Sequence, residues 1–327
     1  MKPIIWFGVL VIASQLHAKE PAVFDPAADP ATLAATFLKG DKLNVLSNIK
    51  RIAIVGYRVE FGIENSGKAS SSGTTGFTSS KADIKLVGVS DATRQAIADA
   101  LYDDFVAGLT AAGYEVIPYE VVKEEKTYKS MQARFHKTFD PVGTQLGKSV
   151  FVGAHDLPTY ITNDDKHLGL GSAFGGGFTV QPQNIEPQIA KALDAAVIRA
   201  TLDVQFADMT KSGGLFRSGS SVKTDAQLAL VPGWSQYLIV TPKGRARIAL
   251  KQTVPIESDA IAMRDITTTA EKTTEAIGNA VSGLLTGGSS KVRHYQADAN
   301  DEKYGAVVGQ YAKSYQAAAL ALMKPAS

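Results

Sequence analysis

The sequence predicts an α+β fold: a mixed, mainly antiparallel β-sheet packed by helices as a sandwich. A strand, helix, glycine and strand unit spans residues 51–118, and alternating strands recur between residues 197 and 254. Two amphipathic helices then close the chain, at residues 266–285 and 302–323. The composition, 45% hydrophobic and 20% charged over 327 residues, is globular and excludes a disordered, collagen-like or coiled-coil chain.

The first unit begins with an apolar strand at residues 51–61. Strict alternation puts the even-numbered side chains of this strand on one face and the odd-numbered ones on the other. Residues 65–80 are rich in Ser, Gly and Thr and predict a polar loop before a second strand at residues 83–89. A helix is expected over residues 91–112, because Ser90 can cap its start and Gly113 can end it.

The second half of the chain reads as a β-meander. Residues 197–206 alternate between apolar side chains, expected to face the core, and polar ones, expected to face water. The polar set is Arg199, Thr201, Asp203 and Gln205. Further strands are expected at residues 226–231, 236–241 and 245–254, the last two joined by a tight turn.

Apolar stripes mark three helices. They consist of Ile97, Leu101, Phe105, Leu109 and Ala112 in the first, Ile266, Ala270, Ile277, Val281 and Leu284 in the second, and Tyr304, Val308, Tyr311, Tyr315, Ala318 and Leu322 in the third. Residues at this spacing share one helix face, which we expect to pack on the sheet. For the two C-terminal helices, a partner helix or a membrane surface is the alternative.

The N-terminus predicts export. A basic start at Lys2, an apolar run at residues 3–13 and a small residue at Ala18 are typical of a cleaved signal peptide, residues 1–18. A Pro- and Ala-rich leader follows at residues 19–48, and a single α+β domain at residues 49–327. No later segment has the length of apolar sequence that a membrane helix needs, so no transmembrane helix is expected in the mature chain. The expected location is the periplasm, with association to the outer membrane left open.

Charge and cysteine content narrow the function classes. With 34 Lys+Arg against 32 Asp+Glu, the formal net charge of +2 gives no field that would attract nucleic acid, and no nucleic-acid partner is expected. The chain has no cysteine, which excludes a disulfide framework, a thiol nucleophile and a thiolate metal site. An exported chain of this kind must be stabilised by its hydrophobic core alone.

One polar segment carries candidate ligands for a metal ion. His155, Asp156, Asp164, Asp165 and His167 place two imidazoles and three carboxylates within a short stretch. Imidazole nitrogen and carboxylate oxygen suit zinc or manganese, so these residues are the predicted metal site. The spacing matches no established ligand signature, and the alternative is a solvated loop. The sequence indicates no catalytic residue and no cofactor.

The opening unit resembles a group of bacterial envelope proteins. Residues 50–61, which include Arg-Ile-Ala-Ile-Val-Gly-Tyr, are followed by the helix at residues 91–112 and by Gly-Tyr-Glu-Val-Ile-Pro at residues 113–118. This order is similar to that in the curli secretion lipoprotein, the peptidoglycan-synthase activator lipoproteins and the N-terminal domain of the Tol translocation protein. The resemblance covers residues 50–118 and implies a non-catalytic envelope role. The lipoprotein members begin at an acylated cysteine, which this chain lacks.

The sequence therefore predicts an exported, non-catalytic cell-envelope protein that acts as a binding, scaffold or secretion-accessory module. Its expected partner is another envelope protein or a peptidoglycan-associated component, and a homo-oligomer is compatible with the sequence. One alternative is an exported hydrolase or metal-binding enzyme that uses residues 155–167. Another is an oligomeric component of an outer-membrane export channel.

Overall fold

The computed structural model describes residues 22–73, 76–131, 135–162, 165, 182–212, 214–215, 221–286 and 289–323. These ranges contain helices α1 Pro30–Phe37, α2 Asp91–Ala111, α3 Tyr119–Glu124, α4 Lys126–Lys129, α5 Pro182–Leu193, α6 Thr269–Thr286 and α7 Asp301–Met323. Their strands are β1 Leu38–Asp41, β2 Arg51–Gly73, β3 Gly76–Val87, β4 Glu115–Ile117, β5 Phe135–His136, β6 Pro141–Gly143, β7 Gly147–Gly153, β8 Thr159–Tyr160, β9 Ala196–Ser212, β10 Gly214–Leu215, β11 Ser221–Leu230, β12 Gln236–Thr241, β13 Gly244–Leu250, β14 Val254–Ile256, β15 Ile261–Asp265 and β16 Ser289–Ala299.

Within the described ranges, fourteen strands form one open sheet. Its main order is β1-β13-β12-β9-β2-β3-β16-β15, with β4, β6, β7, β10, β11 and β14 attached beside this path. β2 is parallel to β9, β4 and β10, and β3 is parallel to β16. The other pairs of this sheet are antiparallel. The predicted α+β class with a mixed, mainly antiparallel sheet is confirmed.

Helices pack on both faces of the sheet. On the first face, α1, α2 and α7 cover the large core, in which the predicted stripes of α2, up to Leu109, and of α7, up to Ala318, are buried. On the second face, α3, α4 and α5 cover a smaller core around Val55 and Val197. Among the described helices, none combines the length and the hydropathy needed to span a bilayer.

A β-bulge in β2 changes which side chains share a face. The pairing of β2 with β9 steps by one residue between Ile54 and Gly56. Beyond the step, the first face carries Tyr57, Val59 and Phe61. Arg58 and Glu60 therefore lie on the second face. The strict alternation predicted for this strand is wrong after the bulge, because an extra residue in one strand shifts the phase of every side chain that follows.

β2 and β3 continue through the segment predicted as a polar loop. They pair directly as a hairpin until Gly73 lies opposite Gly76. β16 pairs with the other edge of β3 in parallel, starting with Ser289 opposite Thr78. The loop prediction for residues 65–80 is wrong, because backbone hydrogen bonds on both edges of β3 stabilise strands whose own side chains bury little apolar area.

Residues of the predicted leader pack into the same core as the domain at residues 49–327. Phe24 is buried, and its ring stacks on that of Tyr311 at a centroid distance of 5.8 Å. β1 pairs with β13 through Leu38 opposite Leu250. From Phe24 onward, the N-terminal segment thus supplies one helix and one edge strand to the sandwich.

Candidate functional site

His155, the first residue of the predicted metal site, lies against α2. Its ring Nε2 is 2.8 Å from Asp103 Oδ1, and its backbone N–H donates to Asp99 Oδ1 over 2.6 Å. The φ angle of His155 is 45°, in the left-handed region. The hydrogen bond to Asp99 holds this sparsely populated conformation at the end of β7.

Asp165 has different partners from His155. One of its carboxylate oxygens accepts from Arg58 Nη2 at 2.8 Å, so its contacts lie on the second face of the sheet. Asp164 and His167 lie outside the described residues, and the side chain of Asp156 is not described. In the part of the chain that the structure describes, no three His, Asp or Glu side chains are grouped to hold a metal ion. The metal site thus stays a prediction.

A group of charged side chains is buried on the second face of the sheet. We name it the buried charge cluster, and its members are Arg58, Glu60, Asp165, Glu186 and Arg199. Arg58 Nη2 lies 2.6 Å from Glu60 Oε1 as well as 2.8 Å from Asp165 Oδ1. Arg199 Nε lies 2.9 Å from Glu186 Oε1. All five side chains are 6% exposed or less.

Thr162 links the two halves of the buried charge cluster. Its hydroxyl accepts from Arg199 Nη1 at 3.2 Å and donates to Asp165 Oδ2 at 3.0 Å. Its backbone N–H donates to the same oxygen at 2.7 Å. On the other side, the guanidinium of Arg58 lies 4.4 Å over the ring of Phe151. Hydrogen bonds of the cluster therefore join β2, β9, α5 and the segment after β8, and the contact of Arg58 with Phe151 adds β7.

The electrostatics of the cluster keep its arginines charged. Burial, the largest influence, disfavours the cation, but the carboxylates of Asp165 and Glu60 raise the pKa of Arg58 above its ordinary value. For Arg199 burial is again the largest influence, but Glu186, Tyr160 and Asp165 together raise the pKa above its ordinary value. Because the guanidinium groups stay cationic, removal of Arg58 would leave Glu60 and Asp165 buried without their shared counterion, whereas Glu186 would keep a second cation, Arg245, at 3.0 Å if Arg199 were removed. The buried charge cluster thus attaches α5 and the segment after β8 to strands β2 and β9 of the sheet.

The polar residues of β9 share one face, as predicted, but that face is buried. Arg199, Thr201, Asp203 and Gln205 are all 5% exposed or less, so the expectation that they face water is wrong. Alternation shows which side chains share a face, whereas α5 and the segment after β8 decide that this face is covered. The sequence does carry one indication of this burial, which is the pair of charged residues Arg58 and Glu60 within an otherwise apolar strand. Charged side chains are rarely buried without partners, so the pair indicates polar partners on a neighbouring strand.

Helix α6 presents Ala270 and Ile277, the described members of its apolar stripe, to solvent, and Ile266 lies exposed just before the helix. The sequence predicted that this stripe packs on the sheet, but Ile277 is 62% exposed, Ile266 is 41% exposed and Ala270 is exposed. For these described members the packing prediction is wrong. The side chains of Val281 and Leu284 are not described.

Polar contacts on the opposite side attach α6 to β16. Glu275 pairs with Arg293 at 2.5 Å, and the side-chain amide of Asn279 bonds both the N–H and the C=O of Ser290. A capping box fixes the start of the helix, since Thr268 Oγ1 accepts from the N–H of Glu271 while the Glu271 carboxylate accepts from the N–H of Thr268. These contacts orient the apolar stripe outward.

Comparisons of the chain with protein-family models, curated proteins and solved structures found no match. The resemblance of residues 50–118 to envelope proteins accordingly remains a prediction.

One side of helix α6 is uncharged and turned away from the sheet. We name it the outer face of α6, and its residues are Ala270, Thr273, Thr274, Ile277 and Ala280. Two further exposed apolar residues occupy the strands beside the helix, Phe77 in β3 at 51% and Val292 in β16 at 37%. Single exposed apolar residues are ordinary on protein surfaces. A neutral helix face that centres on an exposed isoleucine, Ile277, is a surface suited to contact with another molecule.

Proposed function

We propose that this is an exported, non-catalytic cell-envelope protein that binds another envelope protein through the outer face of α6. One observation carries the proposal. The polar side of α6 is bonded to the sheet, by Glu275 and Asn279, and its apolar side is turned to solvent. A surface helix normally shows the reverse arrangement, so a second molecule that covers Ile277 would remove exposed apolar area from water.

The chemistry of the surface favours a protein partner. The outer face of α6 carries no charge, and its residues are small except for Ile277. Small side chains allow an opposing helix or strand to approach closely around one larger anchor. The predicted signal peptide, residues 1–18, supports placing this contact in the bacterial envelope.

The first test concerns export. The full-length chain, produced in a bacterial host with a C-terminal tag, is expected in the periplasmic or envelope fraction with Lys19 as its first residue. Recovery of the unprocessed chain from the cytoplasm would contradict the proposal. N-terminal sequencing of the fractionated protein distinguishes the two results.

The second test concerns the surface. A photo-crosslinking amino acid in place of Ile277 should attach the chain to one envelope protein, and Ile277→Glu should abolish recovery of that complex. Val121 provides the matched control, because it is 50% exposed on α3 and lies away from α6. A crosslinker at residue 121 should give no adduct. The variant Val121→Glu should leave the complex intact. Equal crosslinking from both positions would show that α6 is not a binding surface.

A further inference from the structure

A groove crosses the second face of the sheet beside the buried charge cluster. It has a volume of about 360 Å³. Its walls combine neutral polar side chains, which are Asn65, Ser66, Gln205, Gln227 and Thr253, with aliphatic ones, which are Leu146, Ala207, Ala229, Val231 and Pro255. No charged or aromatic side chain lines the groove in the described part of the chain. Its size falls at the small end of the range for small-molecule sites.

Two amide oxygens of side chains that line this groove have no hydrogen-bond donor among the described residues. They are Asn65 Oδ1 and Gln205 Oε1, and both side chains are only 2% exposed. The nitrogen of each amide is already engaged, that of Asn65 with the carbonyl of Ala207 at 3.3 Å and that of Gln205 with Asp203 Oδ1 at 2.8 Å. These bonds fix which end of each amide is the acceptor.

The surroundings of Gln205 make its oxygen a strong acceptor. The carboxylate of Asp203 accepts from the amide nitrogen and shifts electron density toward the amide oxygen. Hydrogen bonds in such a chain strengthen one another. The oxygen also depends on Gly62, since a Cβ at that position would come within 2.3 Å of Gln205 Oε1. Because Gly62 has no side chain, there is space beside its backbone for the amide oxygen of Gln205.

An acceptor that is buried and unpaired destabilises the fold. Both oxygens are closed off from solvent in this structure. The torsion that turns a terminal amide has a broad energy profile, so either oxygen can reach a donor placed in the groove once its nitrogen gives up its present bond. We propose that the groove binds a neutral sugar or similar polyol, whose hydroxyl groups donate to Asn65 Oδ1 and Gln205 Oε1.

Hydroxyl groups fit this groove better than the other common donors. The side chains at its rim, Ser66, Gln227 and Thr253, both donate and accept. One hydroxyl group can do both from a single atom, whereas a peptide needs its N–H and its C=O, which point in opposite directions. A cationic amine would require a carboxylate in the lining. The aliphatic walls, such as Leu146 and Val231, cover the C–H groups of a sugar ring.

The test is saturation-transfer NMR on the full mature chain. The probes are glucose, maltose and N-acetylglucosamine, with the tripeptide Ala-Ala-Ala as the competing class. We expect transfer to the ring protons of at least one sugar and none to the tripeptide. Gln205→Met keeps the length of the side chain and removes the acceptor, so it should weaken sugar binding about tenfold, as the loss of one hydrogen bond does.

Two further variants make the result decisive. Gln227→Trp fills the groove from its exposed rim and leaves the buried amides in place, so it should abolish transfer even if Gln205→Met does not fold. Gln310→Met makes the same chemical change in the space between α2 and α7 and should bind sugar like the parent chain. No transfer to any sugar, transfer to the tripeptide instead, or sugar binding unaffected by Gln227→Trp would each overturn the proposal.

Discussion

The side chain of Asn279 bonds the backbone of Ser290 as a neighbouring strand would. Asn279 Nδ2 donates to the carbonyl of Ser290 at 2.8 Å, and Asn279 Oδ1 accepts from its N–H at 2.6 Å. One amide group of a helix thus occupies the hydrogen-bonding edge of β16. An edge strand with free N–H and C=O groups can pair with another chain, and this contact blocks that position.

Loss of this contact should loosen α6 and leave the core intact. Asn279→Leu removes both hydrogen bonds, so the amide of Ser290 should exchange with solvent much faster while the global stability falls by about 1 kcal/mol or less. Hydrogen exchange resolved to single residues measures both effects. Thr274→Ala, on the outer face of α6, is the control and should leave the exchange of Ser290 unchanged.

Removal of Arg58 should destabilise the fold severely. Arg58→Met leaves Glu60 and Asp165 buried without their shared cation, which costs on the order of 3–5 kcal/mol. Urea denaturation gives the change in the free energy of unfolding. The comparison is Arg264→Met, because Arg264 pairs with Asp298 at 2.6 Å while 60% exposed, and an exposed pair contributes less than about 1 kcal/mol. Similar losses for the two variants would refute the structural importance of the cluster.

Gly62 should not tolerate a methyl group while Gln205 is present. A Cβ at position 62 would lie 2.3 Å from Gln205 Oε1, so Gly62→Ala is expected to cost about 1–3 kcal/mol through overpacking. In the background of Gln205→Ala the same change should cost much less, and a double-mutant cycle measures the coupling. Gly278→Ala in α6 provides the contrast, because nothing lies within 4 Å of its added Cβ and the helix should gain up to about 1 kcal/mol.

Asp301 should make stability depend on pH in the acid range. The backbone N–H of Ser90 donates to Asp301 Oδ1 at 2.9 Å, and this bond is the main cause that lowers the pKa of Asp301 below its ordinary value of 3.8. Because the folded pKa is the lower one, the stabilisation is present above the ordinary value and is lost as the pH falls through the lowered value. Asp301 begins α7, where a negative charge is favourable by under about 1 kcal/mol.

The measurement is urea denaturation of the parent chain and of Asp301→Asn at several pH values. The variant should be less stable near neutral pH, and the two curves should converge in acid, where the parent carboxyl is protonated. Glu302→Gln, one residue further into α7, controls for a general change in charge. A difference that persists unchanged in acid would contradict the assignment.

The sequence was most informative where local pattern and tertiary packing agree. The stripe of α2, which includes Leu101 and Phe105, predicted a buried helix face, and both residues are fully buried. The same reasoning was wrong for α6, because the pattern identifies an apolar face but not what the face meets. β16, a strand with polar residues such as Arg293 and Gln296, carried no strand signal, and without it the polar attachment of α6 could not be foreseen.

The candidate sites were less accessible to sequence reasoning than the fold. The groove combines Asn65 from β2 with Gln205 from β9, which are adjacent only because these strands pair in parallel. The buried charge cluster likewise depends on the bulge in β2 that sends Arg58 to the second face. Neither the parallel pairing nor the bulge leaves a local signature, since both depend on strands far apart in the sequence.

The parallel pairings also set the order in which the chain can fold. β2 needs β9 beside it, and β3 needs β16, whose first paired residue is Ser289. The first hairpin to be synthesised therefore waits for the last described strand before its sheet is complete. Proteins dominated by contacts between distant residues fold slowly, over milliseconds to seconds. Until β16 has been synthesised, one edge of β3 keeps a row of backbone N–H and C=O groups without a strand partner, although β2 already pairs with its other edge.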